Sequence, residues 1–262
     1  MKFATKSILV VSTLLSASAV MAQSKAPEPD YTLAYNVAAV TDYRVRGISQ
    51  TAFKPALQAG VDFAHKSGLY LGAFGSNVSW IKDFNLATKG SVEIDLYGGF
   101  KGAITKDIGF DVGVITYQYP GNNSGAAGTP GAGAFSNANT TEIYGALSYS
   151  VFNLKYSRSV GDFLGNLNSS GSQYIDLNAN FDLGNGFTLT PHVGRQTIPN
   201  QGPGGNLADC TDYSLAIAKD MGNGLILTAA AVGTNGNRAF YTDSNGKFLA
   251  KSGVLVGVKY NF

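Results

Sequence analysis

The sequence predicts an all-β protein, an antiparallel up-and-down transmembrane β-barrel of about 12 strands. Three observations lead to this prediction. Apolar and polar residues alternate with a period of two along most of the chain. Short and long connections between the alternating segments follow one another in strict order. The 262 residues include 33 Gly, 14 Tyr and 15 Phe, but only 14% of them are charged.

The composition also excludes several classes of protein. A single Cys rules out a disulfide scaffold and a zinc site built from several cysteines. A formal net charge of +2 argues against a strongly basic nucleic-acid-binding protein. The glycines follow no three-residue period, so the chain is not collagen-like.

Residues 1–22 have the features of a bacterial secretory signal peptide. Lys2 and Lys6 precede an apolar stretch over 8–20, and Val20-Met21-Ala22 fits a small-residue cleavage site. We expect export by the Sec route, a flexible leader over 23–30, and one barrel domain over 31–262. Without the signal the chain carries 17 basic and 17 acidic residues. No later stretch is apolar for long enough to form a transmembrane helix.

Twelve alternating segments are the predicted strands. In the clearest one, Ile175, Leu177, Ala179, Phe181 and Leu183 alternate with Asp176, Asn178, Asn180 and Asp182. The segment over 69–78 is apolar on both faces, so its orientation stays open. The predicted strands lie within residues 32–46, 57–63, 69–78, 92–100, 110–114, 142–149, 154–157, 175–183, 187–193, 212–217, 225–231 and 254–262.

The connections place these strands in an outer membrane. Tight turns lie near 65–68, 101–107, 151–153, 184–186 and 220–224, and long connections cover 47–55, 79–90, 120–141, 161–173, 197–211 and 235–251. A soluble sandwich has no reason to gather every long connection at one end. Outer-membrane barrels do so, with short periplasmic turns and long outer loops. The apolar face then meets lipid, the polar face lines the lumen, and closure satisfies the backbone hydrogen bonds.

The aromatic residues provide a further indication. Val258, Tyr260 and Phe262 alternate along the last segment, which resembles the C-terminal strand that the outer-membrane barrel assembly machinery recognises. We expect two lipid-facing aromatic girdles, although aromatic residues are common in strands of any kind. The girdle at the periplasmic ends contains Tyr35, Phe63, Phe100, Phe110, Phe181, Phe187 and Phe262, and the outer girdle contains Tyr43 and Tyr213.

The block Thr-Asp-Tyr-Arg-Val-Arg-Gly-Ile-Ser-Gln over 41–50 is the most specific motif of the chain. On this block and the stretches given below, most of the mature chain resembles the TorF-type porin family of proteobacteria. The resemblance implies an outer-membrane porin. The Gly-, Ala-, Ser- and Asn-rich stretch over 122–139 and the lone Cys210 depart from the family pattern. The other matching stretches are 55–58, 67–72, 75–78, 93–97, 119–121, 141–144 and the last strand.

The candidate functional site is the wall of the lumen. Inward positions contribute nine acids, including Asp182 and Asp212, against four bases. These side chains either line a wet path and set its charge preference, or pair across the lumen into a plug. Arg44 and Arg46 are the first choice for a constriction or a cross-lumen clamp. The candidate lumen residues are Asp42, Arg44, Arg46, Asp62, Glu93, Asp95, Asp111, Glu142, Lys155, Asp176, His192 and Lys259.

Three functions compete at this point. The first is a narrow porin for passive diffusion of small hydrophilic solutes that favours cations, because acids exceed bases in the lumen. The second is a closed structural or surface-interaction barrel that acts through outer loops such as 120–141. The third is an outer-membrane hydrolase that uses His192 with a serine, although no particular serine is indicated.

The sequence predicts no catalytic residue, metal or cofactor. His65 lies in a short turn, and Cys210 lies in an outer loop without a second Cys. Residues 131–134 (Gly-Ala-Gly-Ala) imitate a phosphate-binding loop but lack the lysine that should follow it. The expected partners are therefore membrane lipid, small solutes and the barrel assembly machinery, and not a nucleic acid.

Overall fold

The computed structural model describes residues 29–262, so the predicted signal and most of the leader lie outside the described part. Twelve long strands build the barrel, and a break at Asn180 separates β10 from a short continuation, β11. The strands are β1 Tyr31–Val40, β2 Arg44–Val45, β3 Ile48–Ser49, β4 Ala56–His65, β5 Leu69–Asn77, β6 Val92–Ala103, β7 Ile108–Gln118, β8 Thr140–Tyr149, β9 Phe152–Ser159, β10 Gln173–Ala179, β11 Phe181–Gly184, β12 Phe187–Thr197, β13 Cys210–Asp220, β14 Leu225–Thr234 and β15 Gly253–Asn261; α1 spans Trp80–Asp83.

The long strands form one closed antiparallel sheet. Strand β1 pairs with β4 on one side and with the last strand, β15, on the other. Strand β10 pairs with both β9 and β12, which completes the ring. The predicted up-and-down barrel of twelve strands is confirmed. Over residues 29–262, no helix is long and apolar enough to cross a bilayer.

The outer face of the barrel is apolar. Leu57 and Val254 are 74% and 73% exposed, whereas Lys259 on the inner face of β15 is 7% exposed. The ambiguous segment is resolved, because Leu71 points outward while Tyr70 and Phe74 are buried inside. This arrangement offers hydrocarbon to lipid and satisfies every strand through its neighbours, as a membrane barrel requires.

Connection lengths separate the two ends of the barrel. Five turns of two to four residues lie at one end, called the turn end, and six long connections lie at the other, called the loop end. Asn185 and Gly186 form one of the turns with φ of 52° and 77°. These values suit a two-residue hairpin turn of type I′.

Aromatic rings surround the turn end, as predicted. Phe100 and Phe110 pack on neighbouring strands with centroids 5.8 Å apart. Tyr260 and Phe262 are 5.0 Å apart on the last strand, and both are exposed. Such rings suit the boundary between lipid and water.

Glycine on one strand makes room for tyrosine on the next. Tyr144 lies opposite Gly113, and a Cβ at that glycine would stand 2.5 Å from the phenolic oxygen. Tyr97 lies in the same way opposite Gly72. Part of the excess of glycine therefore accommodates bulky inward-facing rings.

The placement of Cys210 differs from the prediction of an outer loop. Cys210 is the first residue of β13, is 1% exposed, and its Sγ lies 3.7 Å from the Tyr241 hydroxyl. Strand β13 begins further toward the loop end than the alternation shows, and loop residues such as Tyr241 cover its first residue.

Candidate functional site

The connection between the first two barrel strands folds into the lumen. Strand β1 ends at Val40, and residues 41–55, called the plug segment, contain the β2–β3 hairpin. The predicted continuation of the first strand to residue 46 is therefore wrong. Tyr43 is not part of an outer girdle: it is 5% exposed, packs against Phe74 with centroids 6.0 Å apart, and faces inward.

The tip of this hairpin is Arg46-Gly47. Val45 pairs with Ile48, and the two tip residues have φ of 49° and 78°. Positive φ at both residues is typical of a type I′ turn, in which Gly suits the second position. The tip also lies close to the barrel wall, because a Cβ on Gly47 would come within 2.8 Å of Asp212 Cβ.

Asp42 and Arg44 hold the plug segment together. Arg44 Nε donates to Asp42 Oδ2 at 2.6 Å, and the Ser49 hydroxyl donates to Asp42 Oδ1 at 2.6 Å. Arg44 Nη1 donates to the carbonyl oxygens of Gly47 at 2.8 Å and Lys251 at 2.9 Å. This pair therefore organises the loop rather than forming part of a barrel strand.

Arg46 connects the plug segment to the opposite wall. Its Nη2 lies 2.6 Å from Glu142 Oε2, and its Nη1 donates to the side-chain oxygen of Gln196. The guanidinium also lies over the rings of Tyr174 and Phe163, 4.3 and 5.0 Å from their centroids. The two side chains of the ion pair are 11% and 1% exposed.

Tyrosine hydroxyls donate to most of the inward carboxylates. Sequence reasoning placed the acids inside but missed these partners. The pairs are Tyr97 with Asp62 at 2.5 Å, Tyr70 with Asp111 at 2.6 Å, Tyr43 and Tyr119 with Glu93 at 2.5 and 2.7 Å, Tyr117 with Glu142 at 3.2 Å, and Tyr174 with Asp212 at 3.1 Å. The inward alternation of Tyr97 and Tyr144 was the signal that could have revealed them.

Glu93 is one of the fully buried acids of this set. It is 1% exposed and accepts hydrogen bonds from Tyr43 and Tyr119, which both lie outside the barrel strands. Burial raises the pKa of these two phenols well above its ordinary value, and the carboxylates of Glu93 and Asp95 raise it further. Both phenols therefore stay protonated and act as donors.

The remaining predicted residues occupy several environments. His192 lies between two acids, with Nε2 3.1 Å from Asp176 and Nδ1 3.6 Å from Asp212. The Lys155 ammonium lies 3.9 Å from the centroid of Tyr144. Asp182 lies apart from the other lumen residues, because it is exposed at the turn end. Its Oδ1 accepts a hydrogen bond from the backbone N–H of Gly184.

The lumen is filled unevenly. Rings on β5–β8, among them Tyr70, Tyr97, Tyr117 and Tyr144, form the tyrosine wall. The opposite strands carry small inward residues and form the small-residue wall, which contains Ala38, Ala216, Ala218, Thr228, Ala230 and Gly257. A cavity of about 280 Å³ and a second of about 120 Å³ lie along this wall.

Aromatic residues of the long connections cover the loop end. The Phe84 ring lies 5.9 Å from that of Phe135 and 5.6 Å from that of Phe240, so three connections meet there. Ser244 N also donates to the carbonyl of Asp83 at 2.8 Å. The lumen is thus narrowed by the plug segment and covered by these connections.

Comparison with known proteins agrees with this architecture. Residues 24–262 match a family described as a bacterial protein of unknown function, Gcw_chp. The chain belongs to this family. No curated protein matches the chain.

Solved porins share the fold of this Gcw_chp protein. A NanC porin is 10% identical, with a TM-score of 0.54, and the match covers 86% of this chain and 98% of that one. A KdgM porin in complex with disordered oligogalacturonate is 7% identical, with a TM-score of 0.52, and the match covers 88% and 98%. At such low identity the likeness establishes the barrel fold.

Proposed function

We propose that this protein is an outer-membrane channel for passive diffusion of small hydrophilic solutes. The observation that carries the proposal is the pair of cavities, which bring charged, amide and hydroxyl groups together with small apolar side chains inside a barrel with an apolar outer face. A polar lumen with a narrow constriction is the usual basis of solute selection in barrels. The likeness to porins and the TorF-type resemblance support the same function.

The charge preference is the finer part of this proposal. Acids exceed bases among the inward positions, which favours cations, but tyrosine hydroxyls and arginines engage most of these acids. We therefore expect only a weak cation preference. The reversal potential across a KCl gradient measures it directly.

Conductance in planar bilayers tests the channel. We expect discrete openings from the purified protein, and Arg46→Ala should increase their conductance because it frees the plug segment from Glu142. Arg195→Ala is the matched control, since Arg195 is 46% exposed and pairs with Asp209 at the rim. Conductance no greater than that of protein-free detergent would refute the function.

A closed barrel that acts through its outer loops is the second candidate. The observation in its favour is the covered loop end, where Phe84, Phe135 and Phe240 meet. Deletion of residues 126–133 tests this candidate. If envelope integrity and surface binding are unchanged while the bilayers show conductance, the loop function is excluded.

The arrangement around His192 does not suit a hydrolase. A catalytic histidine must offer one ring nitrogen to the nucleophile, whereas Asp176 and Asp212 face both nitrogens here. We propose that the protein is not an enzyme and requires no metal or cofactor. Lipid hydrolysis by the wild type that is lost in His192→Ala would contradict this.

Export and assembly complete the proposal. We propose that residues 1–22 direct Sec export and that Val258, Tyr260 and Phe262 engage the barrel assembly machinery. Phe262→Ser should lower the amount of protein inserted in the outer membrane. Phe181→Ser, which removes another outward ring near the turn end, should have less effect. Equal losses in cell fractionation would argue against a specific signal.

A further inference from the structure

We propose that solutes cross the lumen off-centre, along the small-residue wall, and that Lys155 contributes an unpaired charge to this path. This inference rests on the proposed channel function and adds the route.

The open space in the described part of the lumen lies beside the small-residue wall. Tyr70 and Tyr97 extend from the tyrosine wall to Asp111 and Asp62, and the Tyr144 hydroxyl meets that of Tyr70, so this side is filled. On the other side, Ala230 and Thr228 border both cavities. Side chains this small leave a gap that the rings across the lumen do not close.

Polar atoms along this gap lack partners. Thr228 is 8% exposed and Asn178 is 3% exposed. Within residues 29–262, Thr228 Oγ1 and Asn178 Oδ1 have no hydrogen-bond partner, although both residues border the larger cavity. Buried polar atoms are almost always hydrogen-bonded, so these two require water or a solute hydroxyl or amine in the cavity.

The two cavities share lining residues beside the plug segment. Arg44 and Leu255 border both of them, and Asp42 and Tyr43 border the smaller one. A solute that passes along the wall must therefore pass Arg44, whose guanidinium is fixed by Asp42. The route and the narrowing coincide at this residue.

Lys155 gives the route a positive charge without a direct ion pair, although Asp176 and Asp212 border the same cavity. It borders the larger cavity and lies over the Tyr144 ring. In the described part of the chain, no carboxylate lies within 4.0 Å of its ammonium. By contrast, Glu93, Asp95 and Asp111 border neither cavity, so their charges act on solutes only at a distance.

Obstruction of the wall tests the route. Ala230→Trp places an indole between the cavities, and we expect it to remove most of the single-channel conductance. Ala231→Trp is the matched control, because the adjacent side chain faces lipid. If the wild type does not conduct, the proposed function fails. If it conducts and Ala230→Trp conducts equally well, the route alone fails.

Thiol modification covers the case in which the indole prevents folding. Ala230→Cys and Ala231→Cys are made in a Cys210→Ser background and treated with a membrane-impermeant methanethiosulfonate that carries a trimethylammonium group. We expect the reagent to reduce conductance only through Cys introduced at position 230. Equal responses at both positions would overturn the route.

The charge is tested separately. Lys155→Gln should shift the reversal potential toward greater cation permeability. Lys219→Gln removes the same kind of charge from a half-buried position at the turn end, where the ammonium contacts the Asn185 carbonyl, and should cause no shift. An unchanged reversal potential in Lys155→Gln would show that this lysine lies off the path.

Discussion

Replacement of Arg46 by methionine removes the cation that ties the plug segment to the barrel wall but keeps an apolar stem of similar length. Glu142 would then remain 99% buried, with only the Tyr117 hydroxyl at 3.2 Å as a donor. Loss of one partner from a buried ion pair costs about 3–5 kcal/mol. The remaining hydroxyl offsets part of this loss, so we expect a decrease of about 3 kcal/mol in the free energy of unfolding.

Trp80 provides the assay. It is the single Trp of the chain, is 6% exposed, and its backbone N–H donates to the carbonyl of Gln50 in the plug segment at 3.2 Å. Its fluorescence during urea unfolding therefore reports on the seating of the plug, while far-ultraviolet circular dichroism reports on the barrel. We expect Arg46→Met to lower the fluorescence midpoint.

The double variant Arg46→Met with Glu142→Gln makes the test selective. Removal of both charges leaves no buried ion without a partner, so most of the lost stability should return. A midpoint in Arg46→Met equal to that of the wild type would refute the reasoning. So would a double variant less stable than the single one.

Two further substitutions test the packing inside the barrel. Gly113→Ala should lower the free energy of unfolding by about 1–3 kcal/mol because its methyl group would press on Tyr144. Gly145→Ala, where the nearest neighbour of the added methyl group is 4.0 Å away, should be nearly neutral. Equal urea midpoints for the two variants would contradict this prediction. Tyr43→Phe should cost about 1–3 kcal/mol because buried Glu93 loses a donor, and a stability unchanged by circular dichroism would show that the hydrogen bond contributes little.

The barrel could be predicted because lipid imposes a strict rule on every strand. Ile175 and Leu177 must be apolar where they face hydrocarbon, and Asp176 between them must face the lumen. The period of two follows directly from this requirement. The lengths of the connections then indicate which strand ends lie at the same end of the barrel. No side-chain contact has to be known for this step.

The plug segment could not be predicted in the same way. Tyr43 and Val45 continue the alternation of the first strand, since a hairpin inside the lumen is extended like the barrel wall. The hairpin differs from a wall strand in its contacts with residues remote in sequence, such as that of Arg46 with Glu142. The local signal was the Gly at position 47, which favours a turn, but it also fits the start of a loop.

Tyrosine partners of the acids were missed for a related reason. Alternation assigns a face to each residue but does not determine which neighbours meet across the sheet. Tyr70 reaches Asp111 two strands away, across the glycine at position 99 that gives its ring room. The register of several strands is needed before such a contact can be inferred.

The position of the plug segment has a consequence for the order of folding. Its contacts join Arg46 to residues 96 and 150 positions later, and Arg44 to a carbonyl 207 positions later. Contacts of such long range form late, and the last of them lies just before β15, the strand that closes the ring against β1. A partly folded barrel therefore has neither a closed sheet nor a plug segment in its final position. The lumen becomes obstructed in the same step in which β15 pairs with β1 and closes the barrel.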